Sequence, residues 1–194
     1  NINVTTVEPD SFANGVALRV AIGGRGTWLG DSAGGVGYVN SYTNSIVNTV
    51  FVFSDNLGRG NAKFVGEAAS HEAGHAFGLD HQSVFNSNGR LIEEYNPGNS
   101  ATAPIMGDSY DAVRGLWWSG PNSANRQQDD MSIIASSRNT FGYRADDHGN
   151  NYARATVLTA EGNSVSAEGI ISRTSDVDVF AFTTDAGLVQ FTVD

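Results

Sequence analysis

Apolar positions alternate with polar ones through the first third of the chain and then change to helical spacing. Residues 2–7, Ile-Asn-Val-Thr-Thr-Val, have strand composition and end in the turn signal Glu8-Pro9-Asp10. Residues 16–22, Val-Ala-Leu-Arg-Val-Ala-Ile, alternate and then run apolar, which predicts a second strand. Residues 35–41, Gly-Val-Gly-Tyr-Val-Asn-Ser, read as a short strand weakened by glycine, as expected at a sheet edge. Thr49-Val-Phe-Val-Phe-Ser54 is the most apolar stretch and predicts a central strand. From Ala62 to Phe77 the period becomes helical, with Phe64, Val65, Ala68 and Phe77 as apolar positions and Asn61 as the N-cap. Gly66, Ala69, Ala73, Gly74 and Ala76 let neighbouring backbone come close. Glycine lowers helix propensity, so this helix depends on its packing.

Residues 82–102 are polar and loop-like, with turn signals at Asn88-Gly89 and Asn96-Pro97-Gly98. Residues 127–135, Gln-Gln-Asp-Asp-Met-Ser-Ile-Ile-Ala, predict a second helix with Met131, Ile134 and Ala135 on one buried stripe. Asp129 and Asp130 stand in its first turn, where acids suit the helix dipole. Composition then shifts at 144–151, which reads as a linker. After it come short β pieces at 155–158, 169–172, 177–183 and 189–193. The expected fold class is α+β: a domain at 1–144, then a linker and an all-β module at 145–194. A β-sandwich needs more than the roughly 45 residues available here, so the module is expected to be partial.

Composition narrows the chemistry. A net charge of −10 argues against a nucleic-acid partner, because phosphate binding needs a basic surface. No run of 18 or more apolar residues is present, hence no membrane span is expected. Cysteine is absent, which excludes disulfides and thiolate metal ligands, so any transition-metal site must be built on histidine. The glycine-rich stretch 23–26, Gly-Gly-Arg-Gly, lacks the Lys-Ser/Thr pair and the following helix of a phosphate loop and reads as a plain loop.

Three of the four histidines fall in residues 71–81, His-Glu-Ala-Gly-His-Ala-Phe-Gly-Leu-Asp-His. His71 and His75 are one helical turn apart on the same face, so both imidazoles can reach one ion. Glu72 projects from the adjoining face, where it can take a proton from water at the metal without being a ligand. Gly78 tolerates the positive φ that ends a helix and turns the chain back, which brings His81 over the same ion. Three neutral nitrogen ligands with an open fourth position is the arrangement of a catalytic zinc site. A pattern fixing these five residues arises by chance in such a chain on the order of one time in 10⁵ at average residue usage.

This stretch matches HExxHxxGxxH and so resembles the zinc-binding signature of the metzincin metalloproteases. The resemblance implies a zincin-like catalytic domain: a twisted mixed sheet, an active-site helix and a C-terminal helix, here without the usual first strand and helix. It implies that His71, His75 and His81 are zinc ligands, that Glu72 is the general base, and that the substrate is a polypeptide. Metzincins carry a methionine in a tight turn below the metal; in Ala-Pro-Ile-Met-Gly (103–107) that residue is Met106, flanked by the turn formers Pro104 and Gly107. In metzincins the following segment walls the specificity pocket, which Trp117 and Trp118 either line or leave for the core. Gln-Asp-Asp-Met-Ser-Ile-Ile resembles the closing helix of matrix metalloproteinases, where one acid of an Asp-Asp pair supports the methionine turn. Astacins and serralysins place a tyrosine two residues after that methionine. This chain has Asp108 there and Tyr110 two residues further on, so a three-histidine site is expected, with Tyr110 outside it, Asp108 turned to solvent and Asp80 pointing elsewhere.

Residues 169–182 are similar to the pre-peptidase C-terminal modules of secreted bacterial proteases, which implies a secreted enzyme. Asp146-Asp-His-Gly-Asn-Asn151 reads as a solvated linker, with a calcium loop as the alternative. No full loop pattern is present, and His148 reads as solvated. The leading functional expectation is a secreted zinc endopeptidase. The other is a secreted adhesive or binding protein that keeps the metzincin-like domain as a scaffold.

Overall fold

The computed structural model describes residues 2–30 and 32–193. The chain divides into two compact units, Ile2–Gly142 and Tyr143–Asp194.

In the first unit, β1 (Arg19–Ile22), β2 (Gly35–Val36) and β3 (Thr49–Val52) form one sheet in the order β1-β3-β2. β3 is central as expected, parallel to β1 and antiparallel to β2. Alternation decides what each face meets. Val50 and Val52 are fully buried under the following helix, whereas Phe51 faces the other way and meets Trp28 edge-on at 5.3 Å. On that second face Trp28 stays exposed.

Helix α1 (Ala62–Ala76) follows the predicted span closely, and Asn61 caps it by accepting from the Lys63 and Phe64 amides. Its buried residues include Ala68, Glu72, Gly74, His75 and Ala76. Ala68 packs with Val52 and Leu57, while Ala76 and Phe77 pack with Val50, Tyr42, Leu79, Met106 and Ile134.

Several expected elements differ. Residues 2–7 form no strand: Val4 and Val7 are exposed, and the Val7 amide donates to Thr5 Oγ1 at 3.0 Å. A local side-chain bond thus takes the place of a ladder bond, which β-branched composition alone does not supply. The strand expected over 16–22 begins only at Arg19. Asn14-Gly15 turns the chain just before it, and the Val16 and Ala17 amides bond back to the Ala13 carbonyl. The strand at 35–41 is two residues long, because the chain beyond it leaves the sheet to close the helix end, where the Asn40 and Tyr42 amides donate to the His75 and Ala76 carbonyls.

The polar stretch after the helix holds a hairpin, β4 (Val84–Phe85) with β5 (Leu91–Glu93), turning at Asn88-Gly89. β6 (Thr102–Pro104) pairs in parallel with β7 (Arg114–Leu116). β8 (Ser119–Ser123) is antiparallel to β9 (Arg126–Asp129). The predicted second helix is therefore shorter. Gln127 and Gln128 lie in β9, Asp129 caps through the Ser132 amide, and α2 spans Asp130–Ile134. Ile134 is buried as expected, but Met131 is 40% exposed and is not core.

In the second unit, β10 (Thr156–Val157) and β11 (Phe180–Ala181) pair in parallel. Among the described residues 169–172 and 189–193 are not strands, so the all-β pattern expected there is met only by this pair and an isolated bridge between Glu161 and Ser164.

Candidate metal centre

α1 presents His71 and His75 one turn apart, with ring centroids 4.8 Å from each other. The helix then stops by a two-bond C-terminal turn: the Leu79 amide donates to the Gly74 carbonyl at 3.0 Å and the Gly78 amide to the His75 carbonyl at 2.9 Å. Gly78 has φ 106°, a left-handed value that L side chains rarely adopt. This reversal sets His81 back over the helix, its ring centroid 4.9 Å from His75 and 5.3 Å from His71. The ligating atoms of all three lie within 4.8 Å of one another.

Each imidazole is oriented by an oxygen behind it. His71 Nδ1 donates to the Ile105 carbonyl at 2.7 Å, His75 Nδ1 to the Leu79 carbonyl at 2.8 Å, and His81 Nδ1 to Glu94 Oε1 at 3.2 Å. With Nδ1 carrying the hydrogen, every Nε2 presents a lone pair. His75 Nε2 and His81 Nε2 then face each other at 3.2 Å with no proton between them. Two neutral acceptors at that distance repel. A tetrahedral ion with Zn–N bonds of about 2.0–2.1 Å sets its ligand nitrogens about 3.3 Å apart, so the pair fits zinc. Burial, followed by the neighbouring His75, holds His71 down at about 3, and burial also lowers His75. Both are neutral and ready to ligate at neutral pH.

Glu72 is buried beneath the glycines of the edge strand. A Cβ on Gly35 would stand 2.6 Å from Glu72 Oε1, and one on Gly37 would stand 2.7 Å from the Glu72 carbonyl and 3.2 Å from Oε2. Burial pushes the Glu72 carboxyl up to about 8. Met106 is fully buried, and a Cβ on Gly74 would meet its Sδ at 2.5 Å, so the thioether lies against the helix between the two histidine positions. Ile105, its neighbour, supplies the carbonyl behind His71, and the Gly107 amide closes the turn on Pro104.

Asp80 is turned away from the histidines: Oδ2 accepts from Asn122 Nδ2 at 3.1 Å. Asp108 is exposed. Tyr110 packs on Phe64 with centroids 5.1 Å apart, and burial together with nearby Glu72 pushes its phenol up to about 12. Trp117 packs on the core around Met106, its Cζ3 3.3 Å from where a Gly74 Cβ would be. Trp118 is half-buried, its ring beside Gly120.

Sequence reasoning missed several residues around this centre. Glu94 backs His81 and stands at the foot of the hairpin, which Asn88-Gly89 between two apolar stretches could have signalled. Tyr95 lies against His81 with centroids 4.4 Å apart. Of the Asp129-Asp130 pair, which the resemblance had pointed to, Asp130 is fully buried and accepts from the Trp118 amide at 2.9 Å, Gln82 Nε2 at 3.0 Å and Gln128 Nε2 at 2.9 Å. The Gln82 amide donates to the Met106 carbonyl at 2.7 Å, and Gln128 holds both backbone groups of Asp80. Asp130 is thereby tied both to the methionine turn and to the residue before His81. Asp129 only caps its helix. Nothing local in the sequence marks Gln82 and Gln128, since polar residues are mostly exposed.

Residues 3–82 match the model of metallo-peptidase family M12B, reprolysin-like, a span that ends one residue after His81. No curated protein and no solved structure matches the chain. With the histidine cluster, the family match supports a zinc metallopeptidase, and a peptidase implies a polypeptide substrate. Among the described residues no helix is long and apolar enough to cross a membrane.

Proposed function

We propose that the chain is a secreted zinc-dependent endopeptidase of the metzincin kind, with His71, His75 and His81 as ligands, Glu72 as general base and Met106 as the floor of the site. The observation that carries this reading is the convergence of three imidazole lone pairs beside a buried carboxylate. Bound zinc would polarise the scissile carbonyl and make water at the site more acidic. Glu72 takes the proton of the attacking water and hands it to the departing amine, the two roles of one base in amide hydrolysis. Burial already brings its carboxyl near neutrality, and a neighbouring cation favours the ionised form that accepts the proton. β2 is an outer strand beside Glu72, so an extended peptide can add along it and be carried to the base.

Zinc should bind at about one equivalent, a stoichiometry that metal analysis of the purified protein reads directly. Glu72→Gln should keep that zinc and lose about 10²- to 10⁴-fold in peptide cleavage, the usual weight of a general base. Loss of zinc from the variant would mean that Glu72 is a ligand. A zinc-loaded wild type that turns over no member of a peptide library would favour a binding protein on a metzincin-like scaffold.

A further inference from the structure

The second unit contains a cluster of carboxylates that its own polar groups do not satisfy. Asp146 and Asp147 precede a short 3-10 turn at Tyr152–Arg154, and Asp176 and Asp178 lie on the segment entering β11. The parallel pairing of β10 with β11 draws the two stretches together. The Val179 amide donates to the Gly149 carbonyl at 3.2 Å and the Val177 amide to Asn150 Oδ1 at 2.6 Å. As a result, carboxylate oxygens of Asp146, Asp176 and Asp178 come within 4.8 Å of one another, and Asp147, His148 and Asp178 make a second group of the same size. Asp178 belongs to both.

Asp176 Oδ1 and Asp178 Oδ1 are shut off from solvent and accept no hydrogen bond, and the Asp176 side chain is buried in the cluster. A buried carboxylate oxygen with no donor is costly, and several such acids side by side repel. Burial and the charges of Asp147, Asp176 and Asp146 push the Asp178 carboxyl up, with His148 opposing. His148 is half-buried rather than solvated, and it is committed at both nitrogens, to Thr156 Oγ1 and the Glu168 carbonyl, each at 2.8 Å. It is not free to ligate. The remaining contacts hold the acids in place. Asp146 accepts from the His148 amide at 3.3 Å and Asn150 Nδ2 at 2.7 Å. Asp147 Oδ1 accepts from the Ile170 amide at 3.3 Å, with Oδ2 3.9 Å from His148 Nε2. Asp176 Oδ2 accepts from the Ser172 amide at 2.7 Å.

We propose that Asp146, Asp176 and Asp178 form a calcium site that fastens the 146–150 loop to the segment entering β11, with Asp147 beside Asp178 adding negative charge. A donor set made only of oxygens excludes soft metals and suits calcium. Calcium also accepts the irregular geometry of acids from two loops, which magnesium does not. It supplies what the two unpartnered oxygens lack and offsets the repulsion among the clustered carboxylates.

The test uses the full zinc-loaded chain, stripped of other ions and titrated with calcium by calorimetry, with magnesium as comparison and the thermal midpoint recorded alongside. One saturable calcium should bind with a dissociation constant no weaker than about 10⁻³ M, the range of extracellular modules, and should raise the midpoint. Asp178→Asn should bind calcium at least tenfold more weakly. Without calcium its midpoint should equal or exceed that of the wild type, because one repelling charge is gone. Asp176→Asn should behave likewise, and if it fails to fold, the exposed Asp146→Asn carries the same comparison. No saturable calcium in the wild type, equal affinity for magnesium, or wild-type affinity in these variants would each overturn the site. Zinc content at the histidines reads the other site independently and should not change.

Discussion

Among the three histidines, His81 has the weakest hold. His71 and His75 are backed by main-chain carbonyls, whereas His81 leans at 3.2 Å on Glu94, whose side chain is 60% exposed. An oxygen behind a ligating imidazole fixes its tautomer and raises its basicity, and losing it typically lowers metal affinity about 10- to 100-fold. Because this carboxylate is open to water, the lower end applies. Glu94→Ala should weaken zinc binding about tenfold, measured by competition with a chromophoric chelator. Glu94→Gln keeps an accepting oxygen and should recover most of the loss. If both variants bind zinc as the wild type does, Glu94 does not orient His81.

At the scale of elements, the edge strand and the helix are matched through glycine. Gly35 reads from sequence as a weakness in a strand, but a Cβ there would stand 2.6 Å from Glu72 Oε1 and 2.7 Å from the Phe51 carbonyl. The Phe51 carbonyl belongs to the central strand and cannot yield, so the β2 backbone must shift and the carboxylate must move with it. Gly35→Ala should keep its zinc and fold while losing about 10²-fold in turnover, since a displacement near 1 Å of a catalytic group costs that much. Activity and zinc content measured on one sample decide it; unchanged turnover would show that Glu72 finds its place without help from β2. Gly74 works in the same manner on the other side. Helix propensity alone would favour alanine there by about 1 kcal/mol, but that methyl would occupy the place of Met106 Sδ.

For the whole molecule, the metal-free site carries opposed ionisations, with His71 and His75 lowered and Glu72 raised. His71 is lowered from 6.5 to about 3, so its contribution to stability is complete above 6.5 and is lost as pH falls toward 3. Glu72 is raised from 4.5 to about 8, so its contribution is complete below 4.5 and is lost as pH rises toward 8. Between 4.5 and 6.5 the Glu72 slope opposes only part of the combined slopes of His71 and His75. After chelation, the denaturation midpoint should therefore be highest near 6.5 and fall on both sides of it, and Glu72→Gln should remove the decline between 6.5 and 8. A decline that persists in Glu72→Gln would assign it to another group.

Legibility followed the range of the interactions. The helix, its Asn61 cap, the Gly78 reversal and the spacing of His71, His75 and His81 all depend on neighbours within a turn or two, and they were readable in the sequence. The central position of β3 was readable too, because its side chains are apolar on both faces. What tertiary structure decided was every choice between partners far apart in the chain. Residues 2–7 have the composition of a strand but no ladder. Gln127 and Gln128 carry helical spacing, yet they pair in β9 because β8 offers an edge. Asp130 and Gln82 are 48 residues apart, and only folding makes their contact a buried hydrogen bond. Glu94 meets His81 because a hairpin intervenes, and Gly35 of β2 and Gly37 just after it acquire their purpose only when Glu72 is laid beneath them. A sequence carries local geometry in its own spacing, whereas a contact between distant residues exists only once the backbone has chosen which segments meet.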